Sequence, residues 1–584
     1  MFRKLITSFV AVLVFTLASL LYTGIFDARS LNMDIADQAE ETPVFLSNDF
    51  VTEFRRDIAE FSTATASSSP KTEFLLTSAE LEDSAFASSS CTCSLSSMRY
   101  ADLYEEQLSS TIPWINLTTR QALEKQHPNF PVNLLKNFDE KWCSLLPLPH
   151  LIKWHNIYFQ SMKVSDTTFL LYSAFFDNRE LTDLRPCIRI VTYTRTKFPD
   201  VPWCYIWFNS TGPPVVSRVA RTEYLDWQAR SETRQMTFLL TCPIPKAEGH
   251  TVPLAVSVIA RPCMTADTLL QVTGAMERNA TTAFEGGEPA RGRARTPGKE
   301  GGGRWRVAVC GPALYYFHED FSVRMVEWLE ILRAQGFARV FLSVTDVHPN
   351  LERVLRYYEA RGFVGMVRFA YPEPYVNEPS IRRLWFMVEK PRRYAMQKMY
   401  YTDCALRHMH EYRFIAHFDP DEIPMLRRHD TFPQWVSDQL NSRPVKPGDE
   451  RKQPPAYKLI WYYHQKDLEP APSAASLPEY LWAMRHTKRS LEDMAVSTGK
   501  TKPVYDMDLA TGLFSHDVLT CAYGKCEAKS RTRKRDEAYL AHFRYDCEDF
   551  CKQPNSTAEE TILLKYKDQV LPAVTKVLNE LQLI

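Results

Sequence analysis

Neither charge is in excess in this chain. It has 70 lysines and arginines against 70 aspartates and glutamates over 584 residues, so nothing global argues for nucleic acid or for an acidic partner. Paired Cys-x-x-Cys knuckles are missing too. Among the thirteen cysteines, Cys91-Thr-Cys93 is too close for ordinary mutual pairing, and Cys521/Cys526 with Cys547/Cys551 lack the spacing of zinc sites. Charge is absent from Leu5 to Phe26. At about 1.5 Å per residue that run spans about 33 Å, enough for a bilayer core. Arg3 and Lys4 precede it and a mixed-charge segment follows from Asp27, so the positive-inside bias leaves a tiny cytosolic tail and exports the rest. A cleaved signal peptide is the rival; the run exceeds the usual apolar core of about 7–15 residues, and no small-x-small site ends it.

All thirteen cysteines lie beyond the apolar run. In an oxidising lumen they form a disulfide framework, and their odd number leaves at least one thiol free or linking two chains, as in a disulfide-linked homodimer. The sequons at Asn116, Asn209, Asn279 and Asn555 agree with lumenal exposure. The expected location is a Golgi membrane, single-pass and type II, with the bulk of the chain lumenal.

Composition divides the chain into a tail (1–4), a transmembrane signal-anchor (5–26), a disordered stem (27–97), a β-rich accessory domain (98–280), a flexible linker (281–303) and an α/β domain (304–575). The stem is rich in Ser, Thr, Ala and acidic residues and buries too little apolar surface to offset its ordering entropy. The β-rich part shows runs such as Thr168–Phe176, Ile188–Tyr193 and Met236–Cys242 bounded by turn residues. After Gly303 strand and helix alternate. Trp305–Cys310 is a strand, Phe321–Gln335 a helix stopped by Gly336, and Ala338–Val344 a strand. Asn350 caps a helix over Leu351–Arg361, closed by Gly362; Phe363–Phe369 is a strand, and a helix over Arg393–Tyr412 leads into the next strand. That alternation predicts a nucleotide-binding, Rossmann-like α/β fold with a mostly parallel sheet.

Arg413-Phe-Ile-Ala-His-Phe-Asp-Pro-Asp-Glu-Ile-Pro-Met425 delivers Asp419 and Asp421 to the end of that strand. Ligands of open α/β sheets bind outside the carboxyl ends of the strands, and a carboxylate pair there suits a hard divalent cation, which suits a diphosphate. A solvated turn or helix cap is the bland alternative. Asp506 and Asp508 form a second such triplet. The basic run Lys529–Arg535 reads as a solvated loop.

From about Arg304 to Cys551 the chain resembles glycosyltransferase family 92, whose members adopt the GT-A fold. The resemblance is carried by Val309-Cys-Gly-Pro-Ala-Leu-Tyr315, Glu327-Trp-Leu-Glu330, Val354-Leu-Arg-Tyr-Tyr358, Gln397, Asp403-Cys404, Asp419-Pro-Asp-Glu422, Gly512 to His516 and His542-Phe-Arg544. Where the family commonly has Asp-Ile-Asp-Glu this chain has a central proline, and Phe543 replaces a tyrosine. The resemblance implies transfer of galactose from UDP-galactose to a glycan acceptor on glycoprotein or glycolipid, with inversion. Asp421 is then expected to bind Mn²⁺ or another divalent cation, Asp419 to contact the ribose or the metal's water shell, and His516 to supply a nitrogen ligand. Glu422 is expected to orient the carboxylates, and His542 and Arg544 to hold the diphosphate. Tyr315 or Tyr316 is expected to stack on the base, and Trp461-Tyr-Tyr-His464 to form an acceptor platform. Asp506 and Asp508 are candidates for the catalytic base. Two other readings stay open: a non-catalytic lumenal glycan-binding protein on a degenerate transferase fold, and a sugar-nucleotide hydrolase.

Overall fold

The computed structural model describes residues 91–96, 129–131, 142–147, 151–274 and 306–584, apart from gaps at 209–211, 233–234, 247, 249–250, 374, 376, 389, 443, 466–469, 492–499, 534–535 and 545–555. The expected anchor, most of the stem, the linker and the asparagines of all four sequons lie outside the described residues. Among the described residues no helix is long and apolar enough to cross a membrane.

The first of two large sheets contains β1 (Gln160–Val164), β2 (Thr167–Asp177), β3 (Cys187–Thr194), β4 (Trp203–Trp207), β5 (Val215–Arg218), β6 (Arg221–Tyr224), β7 (Met236–Pro243), β8 (Ala255–Ile259) and β9 (Leu270–Thr273). Their order is β5-β4-β8-β9-β2-β3-β7-β6, with β1 on β2. Successive side chains of a strand point to opposite faces, and here both faces are covered. Phe169 and Leu171 turn into the sheet's own interior with Ile188, Ile190 and Leu240. Leu170, Tyr172, Val191 and Leu239 turn the other way, onto Met396, Met399 and Leu406 of the α/β part.

A buried polar joint reinforces that contact. Asp177 pairs with Arg189 at 2.6 Å and with Arg179 at 2.7 Å. Those guanidiniums donate onward to the α/β part, Arg179 to the carbonyl oxygens of Met507 and Ala510, and Arg189 to that of Ala522 at 2.9 Å. The two arginines hold the Asp177 carboxyl far below the usual carboxylate range against the upward push of burial.

The second sheet, a separate two-stranded ribbon and the helices of this part comprise β10 (Val307–Leu314), α1 (Ser322–Ala334), β11 (Arg339–Val344), α2 (Pro349–Ala360), β12 (Val364–Arg368), α3 (Pro379–Val388), α4 (Lys390–His408), β13 (Phe414–Ala416), β14 (Glu422–Leu426), α5 (Phe432–Asn441), β15 (Ala456–Gln465), β16 (Lys488–Ser490), β17 (Thr501–Asp506), β18 (Ala510–Phe514), β19 (Asp517–Cys521), β20 (Arg531–Thr532), β21 (Ala538–Arg544), β22 (Thr557–Glu559) and α6 (Lys567–Glu580). The order is β12-β11-β10-β13-β17-β15-β16-β22, with β21 joining β14 to β15 and β20 on β15; β18 and β19 pair only with each other. The first four strands are mutually parallel. The expected mostly parallel sheet is corrected from there on: β17 runs antiparallel to β13 and β15, as does β14 to β21. Crossover helices stop after β13, and antiparallel neighbours need none.

The expected helices appear with small shifts. α2 is capped by His348, whose Nδ1 accepts from the Asn350 N–H at 3.3 Å, rather than by Asn350; Pro349 follows at the first position, where a missing N–H costs nothing. Gly336 and Gly362 stop α1 and α2 at φ +84° and +71°, the left-handed region that glycine enters without strain. The basic run is only partly a solvated loop, because β20 pairs with β15 and Arg533 is buried against Glu537 at 2.5 Å.

Five disulfides join Cys91 to Cys263, Cys93 to Cys143, Cys204 to Cys242, Cys310 to Cys404 and Cys521 to Cys526. Cys187 is a buried free thiol, inaccessible to a second chain. Cys547 and Cys551 lie outside the described residues.

Candidate functional site

The chain steps from β10 through β11 to β12 on one side, then returns to place β13 on the other side of β10. That reversal is the topological switch point, where a crevice opens at the carboxyl ends of the flanking strands. Tyr315 and Tyr316 follow β10 there, and His417 to Asp421 follow β13. Because β17 is antiparallel to β13, its amino end brings Lys502 to the same edge. β14 starts with Glu422, directly opposite His542 on β21, and Tyr463 of β15 pairs with His542 from the other side.

α1 fixes the backbone of this corner. Trp328 donates its indole N–H to the Glu422 carbonyl at 2.9 Å, and Gln335 donates to the Pro424 carbonyl at 2.7 Å. The Glu327 carboxylate accepts the N–H groups of Ala483 and Met484 at 2.8 and 3.0 Å. A helix buried around most of its circumference keeps its polar groups only with such partners.

The charges interlock. Lys502 Nζ lies 2.7 Å from Asp419 Oδ2 and 3.1 Å from Glu422 Oε2, and Glu422 Oε2 also accepts the Asp419 backbone N–H at 2.9 Å. Glu422 is fully buried; burial pushes its carboxyl up, and the Lys502 ammonium opposes that push. The two carboxylates keep Lys502 charged despite its burial. His417 is also fully buried, donating from Nδ1 to the Cys310 carbonyl at 2.8 Å. Burial and the neighbouring Lys502 push it down to about 3, so it is neutral. Asp421 Oδ2 lies 3.2 Å from His542 Nε2. Burial pushes the Tyr316 hydroxyl up, and the Asp421 carboxylate reinforces that push. Tyr316 stacks on Phe321 at 4.5 Å and lies nearly parallel to Tyr315 at 6.1 Å.

Trp461 links the two candidate histidines, with ring centroids 4.6 Å from His542 and 5.5 Å from His516. His516 donates from Nδ1 to the Thr501 carbonyl at 2.7 Å, so Nε2 is its acceptor nitrogen. This orientation, fixed from the backbone, is the one a metal-ligating imidazole adopts. Arg544 ends β21, two residues beyond His542.

The structure does not bring Asp506 and Asp508 to this corner. Asp506 pairs with Phe414 at the start of β13, about 13 Å along β17 from Lys502 at ~3.3 Å per residue. There Arg413 holds both, at 2.9 Å from Asp506 and 3.2 Å from Asp508. The acceptor platform also divides. Trp461 and Tyr463 face His542, whereas Tyr462 turns to Tyr539 and His464 to Phe543. Lys502 and His417 were not anticipated; a lysine and a histidine inside apolar strands were the only signal.

His464 is fully buried and donates from Nδ1 to the His486 carbonyl at 2.8 Å. Burial pushes it down to about 3, below its unfolded value. The unfolded chain therefore takes up the proton first as pH falls. His464's contribution to stability is complete above about pH 6.5 and falls by about 1.4 kcal/mol per pH unit below that. Urea unfolding of His464→Asn against the parent at pH 7 and pH 5 is expected to show the parent losing about 2 kcal/mol more than the variant.

Two carboxylates and an imidazole are oxygen and nitrogen donors that fit a divalent cation. Among the described residues no group of three or more His, Cys, Asp or Glu forms a ready-made ligand cage. Mg²⁺-like cations are commonly held by one or two carboxylates with substrate phosphates completing the shell, and Asp419, with 32% of its side chain exposed, has an edge turned to such a ligand.

No curated protein matches the chain. Among solved structures it is similar to S. aureus TarS 1–349 in complex with UDP (12% identity, TM-score 0.19) and to S. aureus TarS 1–349 (11%, 0.17). Each alignment covers 35% of this chain and 47% of the TarS chain, so the likeness spans about half of that protein; at such scores it carries no argument. The sequence comparison is decisive instead. Residues 306–578, from the first strand of the second sheet into its last helix, match the model of glycosyltransferase family 92, which identifies this part of the chain as a domain of that family.

Proposed function

We propose that the chain transfers galactose from UDP-galactose to a hydroxyl of a glycan acceptor, with inversion, in the lumen of the Golgi, held there by the apolar segment Leu5–Phe26. The observation that carries the choice of site is the convergence of Asp419, Asp421 and His542 at the topological switch point. Asp419 and Asp421, with His516, are the residues that would hold Mn²⁺ against the donor diphosphate. When bound, the cation supplies neutralisation of the negative charge that gathers on the departing nucleotide.

The chain's own residues do the positioning. Lys502 fixes Asp419 and Glu422, His542 orients Asp421, and Tyr315 and Tyr316 border the crevice where the base would lie. Trp461 and Tyr463, both buried, pack on His542 and hold its ring in place. Asp506 and Asp508, paired with Arg413 at the far edge, are given a structural part in this reading and not that of the base.

The test is incubation of the purified full chain with a panel of UDP-sugars, with Mn²⁺ or EDTA, and galactosylated or fucosylated N-glycans. Acceptor-dependent, EDTA-sensitive formation of a β-galactoside is expected. Free galactose released without regard to acceptor would point to a hydrolase, and glycan binding without turnover to a lectin-like role.

A further inference from the structure

Trp227 is 64% exposed, yet its backbone is firmly seated. It lies in the loop between β6 and β7. Leu225, two residues earlier, is fully buried against β18, where a Cβ on Gly512 would fall 2.5 Å from Leu225 Cδ2 and 2.5 Å from Thr520 Oγ1. Only glycine lets β18 settle this closely on the loop. Asp226 pairs with Lys398 of α4 at 3.4 Å, their side chains 3% and 1% exposed. Lys398 Nζ also lies 5.2 Å from the centroid of Phe514, fixing that ring.

From Trp227 a continuous run of rings leads to the transferase corner. Trp227 meets Phe514 at 6.0 Å, Phe514 meets His516 at 5.1 Å, His516 meets Trp461 at 5.5 Å, and Trp461 meets His542 at 4.6 Å. The last of these lies 3.2 Å from Asp421. The outer end of the run thus belongs to the first sheet and the inner end to the second.

A large aromatic side chain presented to solvent on a tethered loop loses little conformational freedom when it captures a ligand. Sugars suit such a surface, because their C–H faces pack on rings while their hydroxyls stay at the rim. We propose that Trp227 and Phe514 form an outer acceptor subsite, stacking sugar units of an extended oligosaccharide remote from the hydroxyl that receives the transferred sugar. It is a subsite of the transferase proposed above, and it gives the β-rich part a share in choosing the acceptor.

Trp227→Ala in the full chain is expected to raise KM for an extended oligosaccharide acceptor about five- to tenfold, the scale of one lost aromatic stack. It should leave kcat, the donor KM and the KM for a simple monosaccharide glycoside unchanged, and Trp227→Phe should retain most of the affinity. Phe198→Ala removes a ring that is 78% exposed on the same part but outside the run, and it should change nothing. An unaltered oligosaccharide KM in an active Trp227→Ala enzyme overturns the subsite. If the parent chain transfers no sugar, the transferase proposal fails by itself. Calorimetric titration with the same oligosaccharide then still decides the subsite: binding lost in Trp227→Ala supports it, and binding equal to the parent overturns it.

Discussion

Lys502→Met is expected to lower the unfolding free energy by about 3–5 kcal/mol, the cost of removing one partner from a buried ion pair, and to abolish transfer with it. The lysine side chain is 3% exposed and sits between Asp419 and a Glu422 with no exposure at all. Methionine fills similar space but supplies no charge, so Glu422 would be left to take up a proton or stay ionised without a counter-ion. Either outcome disturbs the Asp419 backbone N–H that Glu422 now accepts. Replacing both partners, as in Lys502→Met with Glu422→Gln, should recover part of the stability, because the unpaired buried charge is gone. Urea unfolding midpoints of the three proteins measure this. A single variant that loses under about 1 kcal/mol, the worth of an ordinary surface pair, would show that the ammonium is not the corner's counter-ion.

Asp421→Asn should reduce kcat by at least about a thousandfold, the scale of losing a main electrostatic stabiliser of the departing group, while the melting temperature stays near that of the parent. The amide keeps the shape of the carboxylate and a polar contact to His542, but it loses the charge that the proposed diphosphate-bound cation would need. Asp506→Asn gives the contrasting result. Its carboxylate is bound to Arg413, so a loss of stability with normal turnover per folded molecule is expected. Steady-state rates corrected for folded fraction separate the two. Comparable kcat values for parent and Asp421→Asn would remove Asp421 from the reaction.

The parallel half of the second sheet was readable because its evidence is local. Each strand is a short apolar run, α2 has one apolar face at a 3.6-residue period, and Gly336 and Gly362 mark the stops. The position of Asp419 and Asp421 just past a strand was readable because Phe414–Ala416 is a short apolar run. Legibility ended where the chain turned antiparallel. Asp506 and Asp508 look like Asp419 and Asp421 in sequence, but β17 runs the opposite way and carries them to the opposite edge. The same reversal puts Lys502 in the site, 83 residues from the aspartate it pairs with, and no periodicity encodes that meeting. Alternation within Trp461–His464 was a local signal: it sends Trp461 and Tyr463 toward His542 and their neighbours toward Tyr539 and Phe543, though all four are buried.

Arg179 and Arg189 reach out of the first sheet to grip the carbonyls of Met507, Ala510 and Ala522, and Leu170, Tyr172 and Leu239 lie on α4. The family-matched half therefore owns only one side of its core. Expressed from residue 304 onward, it would present a raw greasy wall to water and lose the two guanidiniums that hold three of its carbonyls. The two parts are therefore expected to fold and express as a single body.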